Sequence, residues 1–246
     1  MSDAHLSYDA FLGGLVQLWQ PRNGYRAGVD PVLLAATIPA VSGQNVLELG
    51  CGAGAAILCL GARIKGLNLT GVEREASYAD LALRNGKGTL EVVTADIAAL
   101  PLTLRQRQFD HVLANPPYWR RDASVAANDP TREAALGEQT PLVRWVEVAA
   151  KRLVPKGMLH IIHRAERLPD LLAALPHDMG SIEVLPIAAR TGRAAERVIV
   201  RARKSGRADF RLHAPLILHR GDVHIDGDQY TPAVRAALRT GAALPF

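Results

Sequence analysis

Two short segments hold residue types and spacings that suggest chemistry. The first is Asn115-Pro116-Pro117-Tyr118. Two prolines fix φ and Asn tolerates unusual backbone conformations, so a rigid turn is one account of it. That account leaves the flanking Asn and Tyr unexplained. An exocyclic amine on adenine, or a carboxamide nitrogen, has its lone pair delocalised and is a poor nucleophile. The Asn115 side-chain oxygen and the Pro116 carbonyl can each accept one N–H bond from such an amine, align it and favour a pyramidal nitrogen. This is positioning plus electrostatics and needs no strong base. Tyr118 offers a face for a planar substrate, as in enzymes that flip a base into a pocket. Trp119 either extends that platform or serves as core or lid packing.

The second segment is Glu48-Leu49-Gly50-Cys51-Gly52-Ala53-Gly54. Gly50, Gly52 and Gly54 let the backbone turn sharply and a ligand approach closely. The spacing is G-x-G-x-G, not the G-x-G-x-x-G that cradles a dinucleotide pyrophosphate. Glu48, just ahead of the loop, repels a pyrophosphate and attracts an amino group. S-adenosylmethionine carries an ammonium and a sulfonium and no phosphate. Glu73 lies 25 residues after Glu48, where an acid can accept both ribose hydroxyls, and Asp96 ends the next strand. Three acids, each at the C-terminal end of a strand, sit where open α/β sheets gather ligands.

The elements that must position these residues read as an alternation of strands and helices from Asn45 to about Leu185. Strands are expected at Asn45–Leu49, Leu69–Val72, Leu90–Ala95, Phe109–Ala114 and Met158–His163, the last after a turn at Pro155-Lys156-Gly157. Helices are expected at Ala55–Ile64, Glu75–Asn85, Leu142–Leu153 and Arg164–Leu175. Then the alternation stops. Ile182–Pro186 and Arg197–Ala202 are β-branched runs joined without a helix, an antiparallel pair at the edge of a parallel sheet. A strand-like Pro215–His219 and a short helix follow, with Thr231 as its cap and Pro232 in its first turn. The expected organisation is one domain over residues 1–246: an N-terminal extension (1–44), a core (45–203) and a C-terminal tail (204–246).

This order resembles a class I methyltransferase: a Rossmann-like α/β fold with a seven-stranded, mostly parallel sheet, an antiparallel terminal hairpin and helices on both faces. The glycine loop looks like motif I of that class, which implies that Glu48, Gly50, Cys51, Gly52, Gly54 and Glu73 hold S-adenosylmethionine. Asp96 then accepts a hydrogen bond from the adenine amine. N-P-P-Y resembles motif IV of amino-methyltransferases acting on nitrogens in planar π-systems, with Asn115 also near the cofactor. Their substrates include adenine N6 in DNA and RNA, guanine N2 in rRNA and the glutamine amide of peptide release factors.

The two ends narrow the resemblance. Asp9-Ala10-Phe11-Leu12-Gly13-Gly14, and Gln20-Pro21-Arg22-Asn23-Gly24-Tyr25-Arg26-Ala27-Gly28-Val29-Asp30-Pro31-Val32-Leu33-Leu34-Ala35-Ala36, look like the opening of the tRNA1(Val) adenine-N6 methyltransferase family. Pro215-Leu216-Ile217-Leu218 and Tyr230-Thr231 resemble its closing segment. The likeness implies methylation of adenine N6 in tRNA, in the cytoplasm, with S-adenosylhomocysteine as product and no metal. It also places a loop from Tyr25 to Asp30 over the methionine end of the cofactor. Arg26 then meets the carboxylate and Gly28 joins the contacts, while Asp30 has helix capping as its plainer role. Family members recognise substrate in the stretch corresponding to Arg120–Glu133. Glutamine N5-methylation of a release factor shares both motifs, but those enzymes usually carry a larger helical domain ahead of the first strand. An rRNA base amine, a small amine and a cofactor-binding scaffold without catalysis are further alternatives.

Charge supports a polyanionic partner, nucleic acid first. The chain carries 29 basic and 24 acidic residues, and arginine supplies 24 of the former, a planar fork suited to phosphate. Residues 1–186 hold 18 basic and 19 acidic residues, whereas 187–246 hold 11 and 5. A solvated hairpin face explains any single arginine there. The concentration at one end suggests that Arg190, Arg193 and Arg197 contact tRNA, with Arg197, Arg201 and Arg203 sharing strand parity. Apolar content of 48% and charged content of 22% exclude a disordered or fibrous chain, and no run is long and uncharged enough to read as a membrane span. Cys51 and Cys59 read as free thiols in a reducing compartment. His160 and His163, on an expected buried strand, read as core or surface neighbours, not metal ligands. Oligomeric state is not legible.

Overall fold

The computed structural model describes residues 3–120, 137, 138, 140–223 and 227–246, with backbone alone at 3, 119, 120, 137 and 138. β1 (Leu6–Phe11) and β2 (Val16–Pro21) form an antiparallel hairpin, followed by α1 (Asp30–Thr37). The alternating core runs β3 (Asn45–Leu49), α2 (Ala55–Arg63), β4 (Asn68–Glu73), α3 (Ala76–Gly86), β5 (Leu90–Thr94), α4 (Leu102–Arg105) and β6 (Phe109–Ala114). β7 (Trp119–Arg120) pairs with β8 (Gly137–Glu138). α5 (Leu142–Arg152), β9 (Leu153–Arg164), α6 (Leu168–Ala174), β10 (Met179–Ala188) and β11 (Ala195–Lys204) complete the core. The tail adds β12 (Arg211–Leu212), β13 (Leu216–Ile217) and α7 (Pro232–Thr240).

The main sheet runs β12-β10-β11-β9-β6-β3-β4-β5. β9, β6, β3, β4 and β5 are parallel, and β11 lies antiparallel between β9 and β10. Seven strands are long, as the resemblance implied. The hairpin is not the outermost edge, however, because β12 and β13 pair with β10. An exposed β10 would leave a row of unpaired N–H and C=O groups, and these two-residue strands satisfy part of it. β9 starts at Leu153, ahead of the expected Met158. Lys156 adopts φ +69 inside it, and a register irregularity against β6 absorbs the Pro-Lys-Gly segment without ending the strand.

Both faces of the sheet are covered, so its strands read as near-continuous apolar runs. Val46, Leu113, Ile162 and Ile199 face α1, α2 and α7, while Leu47, Val112, Ile161 and Val200 face α5 and α6. Each such buried aliphatic side chain contributes about 1.5–3 kcal/mol. On α5, Leu142, Trp145, Val146 and Ala149 recur at helical spacing and are buried, whereas Arg144 and Glu147 pair on the outer side at 2.6 Å. Thr231 occupies the N-cap position of α7 as expected, but its side chain makes no capping bond. Its hydroxyl donates to the Ile217 carbonyl instead, because the β13 strand passes within reach. Register sets the functional edge: Leu49 lies opposite both Val72 and Ala114. The glycine loop, Glu73 and Asn115 therefore emerge side by side. Among the described residues, no helix is long and apolar enough to cross a membrane.

Candidate active site

One cleft opens at that edge. Glu48, Gly50, Cys51, Gly52, Glu73 and Asp96 line one side, and Asn115, Pro116, Pro117 and Tyr118 the other. Gly50 has φ +65, and a Cβ there would lie 2.6 Å from the Trp145 ring, so both conformation and space demand glycine. Gly52 also has positive φ, and a Cβ on it would meet nothing within 4 Å. The loop thus presents bare backbone to an open cradle.

The carboxylates are fixed by backbone. Glu48 is 3% exposed, and its Oε2 accepts the Ile57 N–H at 3.0 Å. Burial pushes its carboxyl pKa well up, the Ile57 bond opposes this, and nearby Glu73 adds to it. A buried carboxylate with one N–H partner gains from a ligand cation in the cleft. Glu73 accepts from the Gly52 and Glu75 N–H groups at 2.8 and 2.9 Å, and these bonds orient it at the end of β4. Asp96 accepts the Ala98 N–H at 2.8 Å with one oxygen.

On the other side, Asn115 Oδ1 is buried without a hydrogen-bond partner, and its Nδ2 lies 3.5 Å from the Tyr25 hydroxyl. Such an orphaned acceptor is costly unless a ligand donor completes it. The Tyr118 hydroxyl donates to Asp30 Oδ2 at 2.7 Å, and its ring lies 5.3 Å from that of His163. Burial, then Asp30, push the Tyr118 pKa upward, so it stays protonated. His163 is held neutral: burial lowers it to about 4, Arg167 adds to this, and the Pro117 carbonyl opposes it. His160 is likewise fully buried, against His111 at 3.1 Å.

The segment ahead of α1 is built differently from expectation. Arg26 forms an ion pair with Asp9 at 2.8 Å and lies outside the cleft lining, as does Gly28, while neighbouring Tyr25 and Ala27 line it. Asp9 is already held by Gln20, whose Oε1 accepts the Ala27 N–H, and this draws Arg26 outward. Gly54 caps α2 at φ +89 and contacts no cleft space. Asp30 is the first residue of α1, not its cap, because Tyr118 and Arg197 take its carboxylate.

The basic end also divides. Arg190 is buried and donates to the carbonyls of Arg220 and Gly221 and, at 2.6 Å, to Gln229 Oε1. It clamps the tail and offers nothing to solvent, a correction to its expected RNA role. Arg197 pairs with Asp30 at 2.8 Å, and Arg201 pairs with Glu183 at 2.7 Å beneath the Phe246 ring. Lys204 donates to the Ala150 and Leu153 carbonyls. Arg193 and Arg203 remain exposed. The Trp119 side chain and nearly all of Arg120–Glu133 lie outside the described residues. The sequence did not reveal that Tyr78 and Trp145 line the cleft. Tyr78 holds Tyr25 through both its N–H and its carbonyl, at 2.9 and 3.0 Å. No motif marked these residues; only the apolar spacing of α5 pointed to Trp145.

Fold and cleft define an S-adenosylmethionine-dependent methyltransferase. The chain belongs to the methyltransferase small domain family, whose model matches residues 27–185. It is 28% identical to a tRNA1(Val) (adenine(37)-N6)-methyltransferase of Actinobacillus succinogenes over 73% of this chain and 77% of that protein. A protein of the same name from Porphyromonas gingivalis is 32% identical, over 59% of this chain and 61% of its own length. Among solved structures, a predicted O-methyltransferase of Agrobacterium tumefaciens superposes with TM-score 0.72 at 27% identity, covering 88% of this chain and 99% of that one.

Proposed function

We propose that the protein, acting as one unit over residues 1–246, methylates the exocyclic N6 amine of an adenine in tRNA. The observation that carries this reading is the buried, unpartnered Asn115 Oδ1 beside the Pro116 carbonyl at the cleft. An sp² amine brings two N–H donors, and these are two acceptors. Accepting both bonds orients the amine and draws its lone pair out of conjugation. An alcohol brings one donor and needs a base to take its proton, which makes the amide a poorer match to the O-methyl chemistry named for the Agrobacterium protein.

S-adenosylmethionine supplies an electrophilic methyl group when bound. Glu48 would face its ammonium, Glu73 its ribose hydroxyls and Asp96 its adenine amine, while the bare backbone at Gly52 would let it approach. Tyr118 provides the planar wall against which a flipped base stacks. The tRNA assignment rests on the names of the relatives and on the N- and C-terminal segments that resemble them. Arg193 is the exposed arginine of the β10–β11 loop and the candidate phosphate contact.

The test is methyl transfer from labelled S-adenosylmethionine to total bacterial tRNA, with digestion to nucleosides. N6-methyladenosine, lost with Asn115→Ala, is the expected product. Label entering rRNA or a release-factor glutamine, and not tRNA, would overturn the substrate and leave the amine chemistry.

A further inference from the structure

Asp30 does not line the cleft, yet it holds a residue that does. Its Oδ2 accepts from the Tyr118 hydroxyl at 2.7 Å and pairs with Arg197 Nε at 2.8 Å. The Asp30 side chain is 13% exposed and that of Arg197 32%, so the cluster is shielded but not sealed. Three distant segments meet there: the first turn of α1, the loop after β6, and β11. An acid in the first turn of a helix is favoured by the helix dipole alone. The dipole does not account for the Tyr118 bond or the arginine from β11. Tyr118 is pinned at its hydroxyl by Asp30 and flanked on its ring by His163. The Asp30 charge also reaches Tyr25, which faces Asn115; burial and then Asp30 raise the Tyr25 pKa and keep it protonated. Arg197 supplies the countercharge that such a shielded carboxylate requires.

We infer that Asp30 and Arg197 are positioning residues that set the orientation of Tyr118 for methyl transfer, so that Arg197 serves the tetrapeptide and not an RNA phosphate. The inference rests on the amine-methylation reading of the cleft. Side-chain orientation matters at this level because a displacement of about 1 Å can cost on the order of 100-fold in rate.

A double-mutant cycle tests it, with single-turnover methyl transfer to total bacterial tRNA and S-adenosylmethionine affinity as the two readouts. Asp30→Ala and Tyr118→Phe should each slow transfer by about 10–100-fold, with cofactor affinity held. The double variant should be no slower than Tyr118→Phe, since Asp30 acts through that hydroxyl. Arg197→Lys should retain more activity than Arg197→Ala. Independent, additive losses, or a fall in cofactor affinity matching the fall in rate, would overturn the inference. If Asp30→Ala fails to fold, Asp30→Leu, which fills the site and offers Tyr118 no acceptor, takes its place in the cycle. The hydroxyl proton of Tyr118, read by NMR without any substrate, separates this inference from the substrate assignment. It should exchange slowly in the unaltered protein and rapidly in Asp30→Ala. Should the protein methylate no RNA, the substrate reading fails and the spectrum alone decides the positioning; slow exchange in both proteins would refute it.

Discussion

The two walls of the cleft are held by different kinds of bond. On the side proposed for the cofactor, Glu48, Glu73 and Asp96 each accept from backbone N–H groups close by in the fold. On the side proposed for the substrate, Tyr118 depends on Asp30, Asp30 on Arg197, and Asn115 faces Tyr25, which Tyr78 holds in place. Backbone donors come with the fold and survive any substitution other than proline. Side-chain partners can be lost singly and must be brought from separate segments. The cofactor wall should therefore tolerate change at a distance, while the substrate wall should not.

The largest effect expected is at Asn115. Asn115→Ala should lower single-turnover transfer by about 10²–10³-fold, the loss typical of one oriented polar group at a reacting centre. Cofactor affinity, read by calorimetry, should stay close to that of the unaltered protein; a parallel loss would erase the division between the walls. Next comes Gly50→Ala, where a Cβ would meet the Trp145 ring at 2.6 Å and the backbone has φ +65. It should cost about 1–3 kcal/mol by overpacking, seen as a lower denaturation midpoint, and weaken cofactor binding. Full stability with normal affinity would mean that the backbone at this turn is not what shapes the cofactor wall.

A pH experiment probes the packing behind Tyr118. His163 is held to about 4 in the folded protein against an ordinary value of about 6.5. The unfolded chain therefore binds more protons between those values. The contribution of this group to stability is full above pH 6.5 and is lost as pH falls towards 4. His111, also lowered to about 4, acts in the same direction, and Glu48, with its raised pKa, in the opposite one. The clean comparison is with His163→Gln, whose midpoint should vary less steeply over pH 4–6.5. Equal slopes would refute the assignment. The smallest effect divides two arginines. Arg193→Ala should weaken tRNA binding modestly and reduce the salt slope by about one. Arg190→Ala should leave that slope unchanged while lowering stability by about 1–3 kcal/mol, because the charge-assisted bonds from this buried guanidinium to the tail are lost. An unchanged slope with Arg193→Ala would take the β10–β11 loop out of the RNA surface.

Much of this was legible in the chain itself. The runs Asn45–Leu49 and Phe109–Ala114 mark their strands residue for residue, because strands buried on both faces are written as largely apolar segments, here interrupted by Glu48, Asp110 and His111. The glycine loop, the acids at strand ends and the tetrapeptide are local, so their placement at one edge follows from parallel order alone. Arg26, Asp30, Arg190 and Arg197 were not legible in the same way. Each carries a charge whose role depends on which opposite charge or carbonyl comes within about 3 Å, and those partners lie 17, 88, 30 and 167 residues away, at Asp9, Tyr118, Arg220 and Asp30. Sequence determined the element types and the chemistry gathered at the strand ends, because hydrophobic period and backbone freedom are local properties. Tertiary structure decided which charges were left for a ligand, because pairing at hydrogen-bond distance depends on how segments remote in the chain pack together.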